Sequence, residues 1–255
     1  MSTPTIVADA QALYRAAAEE LLRQAKAAVQ RTGVFTLLLS GGSTPKGLFT
    51  LLASDPVLRD QAPWEQTHVF WGDERHVPPD HPDSNYRLAA EALLSHAPLP
   101  AAHVHRIQGE LPTAGQAAVS YEHELRLFFG LAEGQRPAFD LVYLGLGPDG
   151  HTASLFPGTK ALHEQQRLVV ANWVGKLYAE RITLTAPAIN QAACITFLVS
   201  GEDKALALKA VLEGPYEPEQ LPAQLIQPAS GQLVWLVDEA AAQRLTRSGS
   251  RKPTG

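Results

Sequence analysis

Short apolar runs alternate along this chain with longer segments of helical periodicity, and that alternation limits the folds open to it. The runs at residues 34–39, 68–71 and 139–144 have the length of buried strands. Helical spacing of apolar residues comes before the first run, in residues 9–33, where Asp9 can cap the helix. Strands that alternate with helices form a mostly parallel sheet with helices on both faces. The pattern therefore predicts an α/β fold of this kind.

The rest of the chain continues the pattern without a boundary between domains. Strands are also predicted at residues 168–173, 181–185, 194–199 and 233–237, and helices at residues 45–53, 85–95, 113–129 and 202–212. No internal repeat and no Gly/Ser-rich linker divides the 255 residues. We expect one α/β domain over residues 1–246 and a disordered tail over residues 247–255.

Charge and cysteine content exclude several classes of protein. The chain has 21 basic and 26 acidic residues and a net charge of −5, so it lacks the basic excess of a nucleic-acid-binding protein. Cys194 is the only cysteine, which excludes internal disulfides and cysteine-based zinc sites. The sequence shows no signal-peptide pattern and no apolar run of membrane-spanning length. We therefore expect a cytoplasmic protein that acts on a small molecule.

Ligands of such sheets bind beyond the carboxyl ends of the strands, and the first of these ends carries a glycine-rich turn. After Ser40, the glycines Gly41 and Gly42 let backbone N–H groups turn inward, ahead of a helix with a positive N-terminal end. The hydroxyl groups of Ser43 and Thr44 add donors, so the turn can bind a phosphate. It is not a Walker loop, and a tight turn with an ordinary helix cap explains the same residues equally well.

A second strand end, at residues 71–75, carries three consecutive charged side chains. Asp73 or Glu74 could transfer protons, and Arg75 could bind an anion. The alternative is a solvated loop in which these charges pair with one another.

A third strand end carries the glycine-rich segment 145–158. It contains the spacing of a dinucleotide fingerprint, but Pro157 and Gly158 interrupt any following helix, and the next predicted strand ends without a ribose-binding acid. We therefore expect no nicotinamide or flavin cofactor. The segment instead presents His151 on a flexible turn with the carboxylate of Asp149 nearby, an arrangement that favours proton transfer.

Two further cations stand near strand or helix ends, although each could be an ordinary surface charge. Arg181 opens a predicted strand, and Lys204 lies at a helix start, where its charge opposes the helix dipole and predicts an anionic partner. The remaining histidines lack the spacing of metal ligands, and no metal site is predicted.

Four segments together resemble the 6-phosphogluconolactonase family. They are residues 39–45, 71–75 with 83–87, 145–158 and 181–185, and they occur in the family's order and spacing. Segment 145–158 is highly specific, whereas 181–185 alone is weak. The resemblance covers nearly the whole chain and implies a modified Rossmann-like sheet, shared with glucosamine-6-phosphate deaminases and ribose-5-phosphate isomerases.

The resemblance also implies an activity, the hydrolysis of 6-phospho-D-glucono-1,5-lactone to 6-phosphogluconate in the pentose phosphate pathway without a cofactor. His151 would activate a water molecule, and either Asp149 or Asp73 would orient it. The expected substrate-binding residues are Ser40, Gly41, Gly42, Ser43, Thr44, Arg75, Asn85, Arg181 and Lys204. The partner would be a small phosphorylated sugar lactone, with no nucleic acid and no membrane, and the protein a monomer or weak homodimer.

Two other functions remain open at this point. A sugar-phosphate isomerase or deaminase of the glucosamine-6-phosphate type would use the same scaffold with an Asp and a His. Those enzymes usually carry an aromatic residue where this chain has Arg75, and an extra acid where it has residues 152–157. A non-enzymatic sugar-phosphate sensor would need a DNA-binding segment, and we expect none because the sequence opens on the alanine-rich helix.

Overall fold

The predicted apolar runs form the central strands of a seven-stranded sheet in the computed structural model, which describes residues 3–246. The tail expected at residues 247–255 lies outside the described residues. The strands are β1 (Thr5–Val7), β2 (Phe35–Leu39), β3 (Thr67–Trp71), β4 (Asp73–Arg75), β5 (Val104–His105), β6 (Leu141–Gly145), β7 (Val169–Val174), β8 (Ala179–Leu184), β9 (Cys194–Val199) and β10 (Gln232–Asp238). The helices are α1 (Ala10–Thr32), α2 (Ser43–Ser54), α3 (Pro56–Gln61), α4 (Asn85–Ala89), α5 (Ala114–Phe129), α6 (Ala186–Ile189), α7 (Ala205–Glu213) and α8 (Glu239–Ala242).

All neighbours in the large sheet are parallel, in the order β1-β10-β9-β6-β2-β3-β5. This arrangement confirms the mostly parallel α/β sheet predicted from the sequence. From β2 the chain first moves outward to β3, and β6 then pairs on the opposite side of β2. The direction of winding therefore reverses between β2 and β6, and a crevice opens at such a point beyond the carboxyl ends of the strands.

A second, three-stranded antiparallel sheet with the order β4-β8-β7 stands beside the first. The sequence pattern predicted strands at residues 168–173 and 181–185 without separating them from the parallel sheet, and the structure places both in this antiparallel sheet. Only four residues connect β7 to β8, too few for the crossover that parallel neighbours require. The exposed side chains of Ala171 and Trp173 alternate with buried ones, as expected for a sheet with one face in solvent.

Helix ends follow the local sequence signals closely. Asp9 caps α1 by accepting a hydrogen bond from the backbone N–H of Ala12 at 2.8 Å, and Gly33 ends the helix in the left-handed conformation. The helix predicted over residues 85–95 is α4 followed by a π-helical turn, Ala90–Leu94. The helix predicted from residue 202 starts with a 3₁₀ turn, Glu202–Lys204, before α7. Among residues 3–246, no helix is both long and apolar enough to cross a bilayer.

Candidate active site

The predicted site residues gather at the carboxyl ends of four adjacent strands, β9, β6, β2 and β3. Two adjoining clefts open there, and both are lined by Asp73, Arg75 and His151. The first cleft also contains the β2–α2 turn, Asn85 and Lys204, and the second contains Asp149, Lys176 and Arg181. The structure therefore brings all the predicted residues to one edge of the sheet, divided between two neighbouring clefts.

The β2–α2 turn presents the N-terminus of α2 to the first cleft. The helix begins after Gly42, which has no side chain to cap it, whereas α1, α4 and α5 each begin with a capping side chain. Ser43 and Thr44 line the cleft in the first turn of α2. Open N–H groups, hydroxyl groups and the positive end of the helix together suit an anion.

Gly41 is required by a close approach to Asn85. A β-carbon at position 41 would lie 1.8 Å from Oδ1 of Asn85, an oxygen that is buried without a hydrogen-bond partner among the described residues. Ser40, in contrast, donates its hydroxyl proton to the carbonyl oxygen of Tyr143 at 2.7 Å. The Ser40 hydroxyl therefore links β2 to β6, which leaves the later residues of the turn as the available donors.

Lys204 is a second cation, besides Arg75, that lines the first cleft with this turn. Its ammonium group pairs with the carboxylate of Asp203 at 2.8 Å. The Asp203 side chain is largely exposed and Lys204 is mostly buried, so the lysine retains positive charge towards the cleft.

The neighbouring acids Asp73 and Glu74 point in different directions from β4. Asp73 lines both clefts, and its carboxylate accepts hydrogen bonds from Ser154 Oγ at 2.6 Å and Asn85 Nδ2 at 3.2 Å. Glu74 is buried against the start of α4, where it accepts hydrogen bonds from the backbone N–H groups of Asn85 and Tyr86. Burial raises the pKa of the Glu74 carboxyl. Asp73 is therefore the acid available to a ligand.

Arg75 and Arg181 occupy directly opposed positions in the antiparallel pair of β4 and β8. Like charges in opposed positions destabilise a sheet unless something neutralises them. Burial, followed by the charge of Arg75, lowers the pKa of Arg181, and Arg75 Nε is buried without a hydrogen-bond partner in residues 3–246. Both arginines line the second cleft, which is consequently suited to a negatively charged or strongly polarised group.

His151 is held on its turn by Asp149. The carboxylate Oδ1 lies 2.5 Å from His151 Nδ1 and accepts a second hydrogen bond from the backbone N–H of His151 at 3.2 Å. With Nδ1 as the donor to Asp149, the second ring nitrogen, Nε2, carries the lone pair. A β-carbon at Gly147 would lie 1.9 Å from His151 Nδ1, so only glycine permits this arrangement.

The surroundings of His151 favour its neutral form. The imidazole stacks on the Phe156 ring with 4.1 Å between centroids. Burial lowers the pKa of His151 to about 4, Asp73 opposes this effect, and Lys204, Arg75 and Arg181 add to it. The Asp149 carboxylate alone would push this pKa upward, but the pKa lies below the ordinary value of an imidazole. The imidazole is unprotonated at neutral pH and able to accept a proton.

A family model described as glucosamine-6-phosphate isomerases/6-phosphogluconolactonase matches residues 8–235, which include both clefts. The chain belongs to this family. The resemblance stated from the sequence motifs is thereby confirmed. The family description covers two activities, an isomerase and a lactonase.

Several relatives and solved structures that resemble the chain bear the lactonase name. A 6-phosphogluconolactonase of Synechocystis sp. is 47% identical over 86% of this chain and 88% of its own length. One of Nostoc sp. is 41% identical over 96% of this chain and 98% of its own. The structure of 6-phosphogluconolactonase from Trypanosoma cruzi has a TM-score of 0.83 and 30% identity, covering 96% of this chain and 98% of that one.

Sequence reasoning missed three side chains of the second cleft, which His151 also lines. Phe156 and Ser154 lie in the segment 145–158 that was singled out, but the pattern gave no reason to assign them a contact. Lys176 lies in the turn between β7 and β8, and no local sequence signal connects it with a histidine 25 positions earlier.

The dinucleotide spacing in segment 145–158 does not form a dinucleotide site in this structure. After Gly150 the described chain forms turns, and the next helical element is a 3₁₀ helix at Lys160–His163. The segment therefore lacks the helix N-terminus that binds a pyrophosphate in dinucleotide sites. In residues 3–246, no group of three or more His, Cys, Asp or Glu side chains is arranged to hold a metal ion.

Proposed function

We propose that this chain hydrolyses 6-phospho-D-glucono-1,5-lactone to 6-phosphogluconate, a step of the oxidative pentose phosphate pathway. The family match and the near full-length similarity to proteins named 6-phosphogluconolactonase support the proposal. The observation that carries it is the neutral His151, paired with Asp149 and facing two clefts rich in anion-binding groups. A base beside an anion-binding cleft is what hydrolysis of a phosphorylated lactone requires.

In this proposal the phosphate binds at the start of α2 in the first cleft. The backbone N–H groups and hydroxyls of Gly42, Ser43 and Thr44 donate to its oxygens, and Lys204 supplies a charge. Arg181 contacts the same phosphate from the second cleft.

The lactone ring then lies beside His151. Nε2 of His151 takes a proton from a water molecule whose oxygen attacks the lactone carbonyl carbon. The resulting tetrahedral intermediate collapses with cleavage of the bond to the ring oxygen, which receives the proton back from the imidazolium. Arg75 contacts the substrate and stabilises the negative charge that develops on the carbonyl oxygen. The chemistry requires no cofactor.

The two acids have separate roles in this mechanism. Asp149 fixes the tautomer and the orientation of His151 through the hydrogen bond to Nδ1. The Asp73 carboxylate accepts hydrogen bonds from Ser154 and Asn85 and not from the imidazole. Its charge nevertheless favours the imidazolium that forms during the reaction. We further propose that the protein acts in the cytoplasm as a monomer or a weak homodimer.

A coupled assay tests the proposal directly. The purified protein receives freshly generated 6-phosphogluconolactone, and 6-phosphogluconate is followed with its NADP-dependent dehydrogenase; a parallel reaction contains glucosamine 6-phosphate. We expect lactone hydrolysis well above the spontaneous rate and no release of ammonia from the amino sugar. Ammonia release without lactone hydrolysis would assign the chain to the deaminases, and binding of either sugar without turnover would indicate a sensor.

A further inference from the structure

The turn between β7 and β8 carries a lysine onto the carboxylate that holds His151. Nζ of Lys176 contacts Oδ2 of Asp149, while the other carboxylate oxygen, Oδ1, lies 2.5 Å from His151 Nδ1. Asp149 therefore has one oxygen for the histidine and one for the lysine. Lys176 belongs to the antiparallel sheet and Asp149 to a loop of the parallel sheet, so the contact joins the two sheets across the second cleft.

Lys176 also touches the second support of His151. Its ammonium group lies 4.8 Å from the centre of the Phe156 ring, and the His151 imidazole stacks on the same ring. A cation at this distance over an aromatic ring is attracted to its face. One side chain therefore contacts both the carboxylate that orients the imidazole and the ring on which it stacks.

We propose that Lys176 is a positioning residue for the hydrolytic reaction, one that holds the Asp149 carboxylate in place and offsets its charge, so that His151 keeps Nε2 available to water. The inference rests on the proposed function, in which His151 is the base. It assigns to the β7–β8 turn a part in the reaction without direct contact with the lactone.

The charges around His151 explain why such a partner is needed. Those that face the imidazole are Asp73 and Arg75 of β4, Arg181 of β8, Lys204 before α7, Asp149 of its own loop and Lys176 of the β7–β8 turn. An ionised carboxylate that contacts a histidine ordinarily favours the imidazolium and raises its pKa. Lys176 contacts that carboxylate and opposes its effect on the imidazole. Burial, with Lys204, Arg75 and Arg181 adding to it, lowers the pKa of His151 to about 4.

A second lysine–carboxylate ion pair, similar in exposure to Lys176–Asp149 but away from His151, provides a control. Lys209 contacts Glu213 at 2.6 Å, with 43% and 28% of the two side chains exposed, against 49% and 27% for Lys176 and Asp149. Within residues 3–246, the polar partners of Glu213 are Lys209 and Thr246, and neither is a histidine. Replacement of Lys209 therefore removes a comparable ion pair away from both clefts.

The test compares the variants Lys176→Met, Lys176→Arg and Lys209→Met. For each, kcat and KM for the lactone are measured between pH 4 and 8, and the His151 imidazole of the ligand-free protein is titrated by NMR. Without Lys176, the unpaired Asp149 charge raises the pKa of His151 by about one unit. We expect the acidic limb of kcat/KM to move upward by the same amount in Lys176→Met and kcat to fall about tenfold with little change in KM.

Lys176→Arg is expected to restore the wild-type profile, and Lys209→Met to leave it unchanged. A Lys176→Met enzyme with the wild-type acidic limb, titration and kcat would overturn the proposal, as would an equal effect of Lys209→Met. The titration is recorded on protein whose folding is verified by its melting temperature. It tests the coupling between Lys176 and His151 even if the wild type proves not to hydrolyse the lactone, a result that would refute the proposed function instead.

Discussion

At the scale of single residues, the adjacent acids of β4 have separate tasks because side chains alternate along a strand. Asp73 faces the clefts, whereas Glu74 accepts hydrogen bonds from Arg75, Ser84, Asn85 and Tyr86 around the start of α4. We expect Glu74→Gln to destabilise the fold by about 1–3 kcal/mol, since an amide cannot accept all these bonds, and to change kcat little.

Asp73→Asn is expected to have the opposite effect, a fall in kcat of about tenfold or more with nearly unchanged stability. The substitution removes the negative charge that favours the imidazolium of His151. Urea denaturation and steady-state kinetics of the two variants measure both quantities. Loss of turnover in a normally stable Glu74→Gln variant, beside an active Asp73→Asn variant, would show that the acid has been assigned incorrectly.

The opposed arginines give a prediction in which affinity and stability respond differently. Arg181→Gln removes a cation from the second cleft, so we expect KM for the lactone to rise by about 10–100-fold, the worth of a charge-assisted hydrogen bond. The same change relieves the repulsion between Arg181 and Arg75, and the melting temperature of the ligand-free protein should stay the same or rise. Unchanged KM would remove Arg181 from the substrate site.

Sequence reasoning identified those site residues that lie at strand ends, because parallel strands place their carboxyl ends at one edge. It could not determine how they divide between the two clefts. It also left open whether Asp149 or Asp73 contacts His151, since that depends on the conformation of the turn at residues 147–151. The geometry places Asp149 on Nδ1 of the histidine.

At the scale of elements, the end of β6 and the turn that follows it contain two glycines, Gly145 and Gly147, with different surroundings. A β-carbon at Gly147 would collide with His151 and Asp149, whereas one at Gly145 would meet nothing within 4 Å. We expect Gly147→Ala to displace His151 and lower kcat by about tenfold or more, since small displacements of catalytic groups are costly. Gly145→Ala serves as the control, and steady-state kinetics that show equal effects of the two substitutions would contradict the described turn.

The antiparallel sheet was the element that the sequence pattern described least well. The strands at residues 168–173 and 181–185 were found nearly in place, but their alternating burial and short connection were not used to separate them from the parallel sheet. The sequence did not predict β4, because three consecutive charged residues do not have the apolar pattern of a buried strand. Its pairing with β8 depends on tertiary contacts, which local propensity does not report.

At the scale of the whole molecule, burial of histidines makes stability depend on pH. The pKa of His151 and that of His68 are both lowered from 6.5 to about 4, in each case mainly by burial, and for His68 also by His103 and His105. The unfolded chain therefore binds more protons than the folded one between about pH 6.5 and pH 4. The stability that these two imidazoles contribute is fully present above pH 6.5 and is lost as the pH falls towards 4.

Urea denaturation at pH 7, 5.5 and 4.5 measures this loss. We expect the free energy of unfolding to decrease at each step, and the decrease to be smaller in His151→Asn and in His68→Gln. A free energy that is constant or rises on acidification would contradict the burial of these two imidazoles.

The parallel sheet itself was predictable because its strands at β2, β6 and β9 are buried almost throughout and read as continuous apolar runs. Their carboxyl ends bring the turn after Leu39, the His151 turn and Lys204 together. The central claim is that this edge forms a lactonase site in which His151 is the base.

The kcat of His151→Asn for 6-phosphogluconolactone, corrected for spontaneous hydrolysis, tests that claim most directly. Asparagine keeps a polar side chain on the turn, which is formed by glycines and not by the imidazole. We expect the variant to fold normally, to bind the phosphorylated product with wild-type affinity and to lose about 10²–10⁴ in kcat, the contribution of a general base. A variant with near-normal kcat and an unchanged acidic limb would show that His151 is structural, and Asp73 would then become the candidate base.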